Sequence, residues 1–360
     1  MILWIYKDTR FYIERKKLSL LVLFLIVFPF LLFAQEHKAD NEQEKTFRLM
    51  FYNVENYFDS FDDTLTNDNE FLPDGIRNWN YSRFLKKRNN IYKTIMAVGE
   101  WEPPAIIGLS EVENRFVLNQ LVYKTPFSQF DYRIIHEESP DRRGIDVALL
   151  FNPKVFQVIN HKAITINFPF DKELKTRDIL YVKGLVFGRD TLHIFVNHWP
   201  SRYGGELFSR PKRIFVARQL AKHIDSILQE NKNAAIVVMG DFNDYPFNQS
   251  IKKELKAGKD LNNRLINLMP KNDYTVGTNK YDGQWGILDQ IMVSPVLLSQ
   301  DKPIFVNGEA QIFDADFLLQ EDAKFLGNMP FRTFFGAKYR GGFSDHLPVF
   351  VDFTLKMDKK

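Results

Sequence analysis

"AAIVVMGDFNDYP" (Ala234–Pro246) is the stretch on which the fold turns. Its first half is apolar and partly β-branched, the composition of a buried strand. Its second half releases Asp241, Asn243 and Asp244 in quick succession. A carboxylate at a strand end is commonly a turn or a helix cap, so the question is whether other strands deliver similar groups. "FRLMFYNVEN" delivers Asn53, "AIIGLSEVEN" delivers Glu111, and "LHIFVNHWPSR" delivers Asn197 and His198. "GILDQIMVS" sets Asp289 inside an apolar run, and "GGFSDHLPVFVDF" sets Asp345 and His346 just before one. In α/β sheets the carboxyl ends of strands are where sites are built. Convergence at one site requires these strands to lie side by side and point the same way.

The residue types suggest a reaction. A carboxylate buried among apolar neighbours, as Asp289 would be, is costly unless paired, and the histidine of "SDH" offers the partner. Glu, Asn and Asp oxygens form a hard-ligand set that suits Mg²⁺ or Mn²⁺. The chain contains no cysteine, so thiolate ligands and disulfides are excluded. A histidine oriented by an aspartate acts as a general base or electrostatic partner. A second histidine, an asparagine and an arginine supply donors for a phosphoryl oxygen. Metal-assisted attack of water on a phosphate ester uses all of them.

The ordered series Asn53, "SE" at Glu111, "NH" at His198, "GDFN" at Asp241 to Asn243, "LDQI" at Asp289 and "SDH" at Asp345 and His346 resembles the endonuclease/exonuclease/phosphatase, or DNase-I-like, superfamily. The resemblance runs from about Phe47 to Leu355, and "VNHWPSRYGG" and "RGIDVALLF" are most similar to its secreted bacterial nuclease-like branch. It implies an α/β fold, a four-layer sandwich of two central, mostly antiparallel sheets flanked by helices. It also implies roles. Glu111 would bind the metal with Asn53 beside it and Asp345 completing the shell, and Asp241 would position the attacking water. Asn243 and His198 would hold phosphate oxygens, and His346 would contact the phosphate or act as acid/base, oriented by Asp289. Arg177, in "KTRDILYV", is similar to a phosphate-contacting arginine of the DNases.

Around this core the pattern is regular. Strand-length apolar runs alternate with helical periods at "NYSRFLKKRNNIYKTIMAVGE" (Asn80–Glu100) and Arg115–Tyr123, and "GRDT" reads as a hairpin turn. "PKRIFVARQLAKHIDSILQE" predicts an amphipathic helix with Pro211 in its first turn. At the N-terminus a basic segment precedes a predominantly apolar run of 16 residues, Leu18–Phe33, and a small residue, Ala34. This predicts a secretory signal over 1–34, because the run is short of the roughly 20 residues of a membrane span. The alternative is an uncleaved N-terminal anchor. A flexible leader over 35–46 and one catalytic domain over 47–356 follow, exported to the periplasm or secreted, monomeric and without stable membrane association after cleavage.

The formal charge of +3 comes from the first 34 residues, leaving the remainder neutral. That argues against coating nucleic acid by bulk charge. Local basic patches remain, at Arg142 and Arg143 and from Arg202 to Arg213. The loop after His198, with Arg202, Arg210 and Arg213, is a candidate substrate loop, and Trp285 a candidate stacking residue. The expected function is a metal-dependent phosphodiesterase acting on nucleic acid, an endonuclease on DNA or RNA. A phosphoesterase for a lipid or small molecule is the alternative, and a non-catalytic binding protein on the same scaffold the third reading.

Overall fold

The computed structural model describes residues 44–270 and 276–357. The expected signal, most of the expected leader and the last residues lie outside the described residues. Within the described part, Thr46–Leu355 forms one compact unit.

The first half of the domain contains β1 (Glu44–Tyr57), α1 (Tyr81–Gly99), β2 (Ile106–Val112), α2 (Arg115–Tyr123), β3 (Arg133–His136) and β4 (Asp146–Phe151). β5 (Phe156–Ile164), β6 (Ile179–Val186), β7 (Asp190–His198), α3 (Glu206–Glu230) and β8 (Ala235–Asp241) follow. The later chain is built of shorter strands: β9 (Ala257–Gly258), β10 (Leu265–Asn267), β11 (Asn279–Tyr281), β12 (Gln284–Gly286), β13 (Asp289–Val293), β14 (Ile304–Val306) and β15 (Gln311–Ile312). Two small hairpins, β16 (Leu319–Glu321) with β17 (Asn328–Pro330) and β18 (Phe334–Phe335) with β19 (Lys338–Tyr339), precede β20 (Val349–Lys356).

Two seven-stranded sheets result. One has the order β14-β20-β1-β2-β4-β3, with β15 beside β20; the other has the order β5-β6-β7-β8-β13-β10-β9. β1 runs parallel to β2, and β7 parallel to β8, while most other pairs are antiparallel. The sheets pack face to face through β2 and β4 on β7 and β8. They approach so closely at Gly108 that a Cβ there would lie 2.7 Å from the Met239 methyl.

Helices cover both outer faces, giving the four layers. Phe84, Ile91, Ile95 and Val98 of α1 and Leu118 and Leu121 of α2 pack on Met50, Tyr52, Leu109 and Leu150 of the first sheet. Ala217, Leu220 and Ile224 of α3 pack on Phe195, Ile236 and Val238 of the second. Asn80 and Asn114 cap α1 and α2, accepting the free N–H groups of Arg83 and Val117.

One boundary differs from the sequence expectation. α3 begins at Glu206, so Pro211 lies inside it rather than in its first turn. The added turn is held by the Glu206–Arg210 ion pair at 2.7 Å and by the Ser209 hydroxyl, which donates to the carbonyls of Gly205 and Glu206. Among the described residues, no helix is long and apolar enough to cross a membrane.

Candidate active site

The parallel pairs explain the convergence. Toward the C-terminal ends of β1 and β2, Asn53 pairs with Ser110, the neighbour of Glu111, and β7 and β8 end at the paired residues His198 and Asp241. The strands therefore do not all lie side by side, as the sequence suggested; they form two pairs, one in each sheet, that meet across the sandwich. β13 is antiparallel to β8 and starts at the same edge, which sets Asp289 opposite Asp241. The segment entering β20 adds Asp345 and His346, with Asn279 of β11 bridged to His346.

Hydrogen bonds tie the two sheets together here. Asn53 Nδ2 donates to Asp241 Oδ2 at 3.0 Å and to Glu111 Oε1 at 3.4 Å. The Asn56 N–H donates to Glu111 Oε2 at 2.8 Å. Ser344 Oγ donates to the Asn53 carbonyl at 2.7 Å and accepts the His346 N–H at 3.1 Å, holding "SDH" against β1. Glycine precedes Asp241 because β7 passes so near that a Cβ on Gly240 would meet the Asn197 carbonyl at 2.3 Å. Glu111 and Asn243 adopt left-handed backbone, with φ of 61° and 50°. Residues held in that region concentrate where surrounding structure fixes a functional side chain.

The charges are graded by environment. Asp289 is fully buried, and its Oδ2 lies 2.7 Å from His346 Nδ1, while Oδ1 has no partner. Burial alone would lower the His346 pKa, but the carboxylates of Asp289 and Asp241 outweigh it and raise it well above the usual value. The ring is thus an imidazolium, with Nε2 facing Asp241 Oδ2 at 3.9 Å. Burial pushes Asp241 itself up to about 7. His198 is the opposite case: burial, then the charge of Arg177, holds it well below its usual pKa, so it is neutral. Its Nε2 lies 3.8 Å from Glu111 and 3.7 Å from Asp241.

A divalent cation fits one side of this cluster better than the other. Glu111 and Asp345 keep part-exposed carboxylates, with side chains 16% and 26% accessible. Asp241, Asp289 and His346 are also grouped at ligating distance. There, however, Asp289 is sealed and committed to His346, which suits a proton-holding dyad and not an open metal position. The metal position expected at Asn53, Glu111 and Asp345 is the side with the part-exposed carboxylates.

Several groups escaped the sequence reading. Glu55, Lys87 and Arg332 form a charged layer beside Asp345. Arg332 Nη2 lies 2.9 Å from Asp345 Oδ2, Arg332 Nε lies 3.5 Å from Glu55, and Lys87 Nζ lies 3.8 Å from Glu55. Lys87 Nζ also donates to Thr333 Oγ1 and the Phe343 carbonyl, both at 2.6 Å. Burial pushes Glu55 up to about 7 and Lys87 down to about 8. A signal existed for Lys87: it falls on the buried face of α1 with Phe84 and Ile91.

The candidate loop is corrected. Arg213 is fully buried and pairs with Asp244 at 2.8 Å, so it cannot reach a substrate. Arg202 is bound to the Asn243 carbonyl and to Asp244 and Asn248 while stacking on Tyr245, and Arg210 is bound bidentately to Glu206. Arg177 is brought close to His198 but points inward, bound to Asp141 and the Trp199 carbonyl, with only 7% exposure; that placement does not present it to a phosphate. Asn243 Nδ2 donates to the Trp199 carbonyl. Trp285 is half-buried on β12, with Lys280 Nζ 5.9 Å from its ring centre.

Fold and donor set together are those of a DNase-I-like phosphoester hydrolase, with acidic groups that could bind a metal ion. The chain belongs to the Endonuclease/Exonuclease/phosphatase family, whose profile matches residues 48–355. No curated protein matches it. Among solved structures, an endonuclease/exonuclease/phosphatase family protein from Bacteroides thetaiotaomicron is similar at a TM-score of 0.53 and 15% identity, covering 88% of this chain and 100% of that one. The human Nocturnin catalytic domain, solved with a bound sulfate anion, is similar at 0.51 and 17%, covering 86% and 95%. A Bacteroides thetaiotaomicron mannosyl-6-phosphatase is similar at 0.53 and 16%, covering 85% and 99%.

Proposed function

We propose that the protein is an exported, Mg²⁺- or Mn²⁺-dependent phosphodiesterase that cleaves nucleic acid, acting as an endonuclease on DNA or RNA. The observation that carries the nucleic-acid reading is the aromatic rim. Tyr203 is 90% exposed in the loop after His198, and Tyr281 is 81% exposed on the β11–β12 hairpin that also carries Trp285. Aromatic faces beside a phosphodiester site suit unpaired bases, each stacked base contributing about 1–3 kcal/mol.

The chemistry follows from the graded charges. Asp241, poised by burial near neutrality, accepts the proton of the attacking water. His346, kept charged by Asp289, neutralises the phosphate as negative charge accumulates. Neutral His198 and Asn243 donate to the remaining oxygens. A cation held by Glu111, Asn53 and Asp345 supplies Lewis-acid stabilisation when bound. Export rests on the basic and apolar N-terminal run, and mass spectrometry of the mature chain from its host tests cleavage near Ala34; a full-length cytoplasmic chain would overturn it.

The small-phosphoester reading is favoured by one observation: the arginines of the loop after His198 are consumed by internal partners. A substrate panel decides between the two. It comprises circular plasmid, single-stranded DNA, RNA, sphingomyelin, inositol phosphates and bis-p-nitrophenyl phosphate. Nicking of the circular plasmid or internal cleavage of single strands is expected. Turnover of sphingomyelin or an inositol phosphate without polymer cleavage would establish the second reading.

A further inference from the structure

A second cavity, of about 280 Å³, lies on the helix-covered face of the second sheet. It is built from two rows of side chains that cross the strands. Lys162, Tyr181 and Phe195 stand in register across β5, β6 and β7, and Asn160, Lys183 and His193 form the adjacent row. α3 closes the far wall with His223, Ser226, Ile227 and Glu230, which recur at the spacing of one helix face. None of these residues belongs to the active site. His193 lies five residues before His198 on β7, where it pairs with Ile236 and not with Asp241.

The lining is specific in three respects. First, His193 is 91% buried, and its Nδ1 lies 2.8 Å from the Tyr181 hydroxyl. With that hydroxyl donating, the ring proton resides on Nε2, which is then a fixed donor in a side chain that lines the cavity. Secondly, the Lys183 and His223 side chains have no hydrogen bond or ion pair among the described residues, although both line the same space. A buried histidine beside an unneutralised lysine is unfavourable: burial, then the Lys183 charge, lowers the His193 pKa to about 4. Thirdly, the imidazoles are not gathered into a metal-ligating group. The site offers donors and positive charge, and little to attract a cation.

We infer that this cavity binds the phosphate group of a small phosphorylated molecule, held by Lys183, Lys162, His223 and the His193 Nε2–H. Two ammonium groups match the two charges of a phosphomonoester, and the imidazole donors complete its oxygens. Tyr181, Phe195 and Ile227 give the rest of the ligand an apolar surface. Glu230 and His161 also line the cavity, and the Glu137 carboxylate, 3.0 Å from His161 Nε2, adjoins it. Negative charge there disfavours a long polyanion, so the occupant is a small molecule and not a nucleic-acid backbone. The site is independent of which phosphoester the active site hydrolyses.

Titration calorimetry of the full chain with inorganic phosphate tests this. Two binding events are expected, one at each site. Lys183→Met should weaken one of them at least tenfold. It should leave the inhibition of bis-p-nitrophenyl phosphate hydrolysis by phosphate, which reports the active site, within twofold of wild type. Ser226→Trp, placed on the exposed side of α3 to fill the cavity, should remove the same event without lowering the melting temperature. A single binding event in the wild type, or two events unaltered in both variants, would overturn the inference.

Discussion

Among the described residues, the Asp289 carboxylate makes one hydrogen bond, to His346 at 2.7 Å. The two should behave as one unit. Asp289→Asn is expected to lower turnover about 10²-fold or more, the usual scale for a general acid–base group. It should also lower the apparent pKa of the limb that reports the histidine. His346→Ala should cost at least as much, and the double variant little more than His346→Ala alone. Losses that multiply would show that the two act separately. These residues were legible because each interrupts or abuts an apolar run. Glu55 and Arg332 were not, for a physical reason: they meet only when the segment before β20 folds against β1, a contact spanning 277 positions (332 − 55) that no local pattern announces.

At the scale of elements, the loop and helix after His198 serve architecture. Arg213 lies on the buried face of α3 and neutralises Asp244, itself almost wholly buried, at the end of the GDFND segment. Removing it leaves the carboxylate, buried from solvent, with only Arg202 and the Ser250 hydroxyl as side-chain partners. Arg213→Ala should therefore lower stability by about 3–5 kcal/mol, read by denaturant unfolding. Arg210→Ala, which breaks only a solvent-screened pair with Glu206, should leave the unfolding midpoint nearly unchanged. Equal losses would contradict the burial argument. The strand and helix positions themselves were readable from apolar periodicity, since α1, α2, β7 and β8 all fall where the spacing placed them. What periodicity could not show was the start of α3, where Pro211 imitates a first turn. The turn following β2 supplies a pH handle. Burial pushes the Glu113 carboxyl up to about 9, and its Oε2 accepts the Asp59 N–H. The unfolded chain releases that proton near the ordinary carboxylate value, so this contribution is complete at low pH and is lost as pH rises toward 9. Glu113→Gln should raise the melting temperature by a few degrees at pH 8.5 and leave it nearly unchanged at pH 4. A larger gap at pH 4 than at pH 8.5 would reverse the sign and refute the assignment.

Over the whole molecule, the site exists only when both sheets are present, because Asn53 and Glu111 come from one and His198 and Asp241 from the other. The cation that Asn53, Glu111 and Asp345 would hold would be the remaining partner in the charge balance. Chelation should abolish hydrolysis, and added Mg²⁺ or Mn²⁺ should restore it. Glu111→Gln should shift the metal-activation curve to higher concentration while changing the melting temperature little. Undiminished activity in excess chelator would refute the metal assignment. A different consequence follows from the way the domain closes. Phe47 stacks on Phe353 at 5.2 Å, and Arg48 pairs with Asp352 at 2.7 Å, so β1 enters where β20 leaves. Asn53, at the other end of β1, marks the reactive edge. Both tails of the domain therefore emerge together on the side away from the chemistry. A short peptide could splice them and new ends could be opened at the Phe187–Gly188 hairpin, giving a reordered gene for the same enzyme. A carrier or solid support joined at Thr46 or Leu355, the two ends of the compact unit, would leave the reactive edge turned outward.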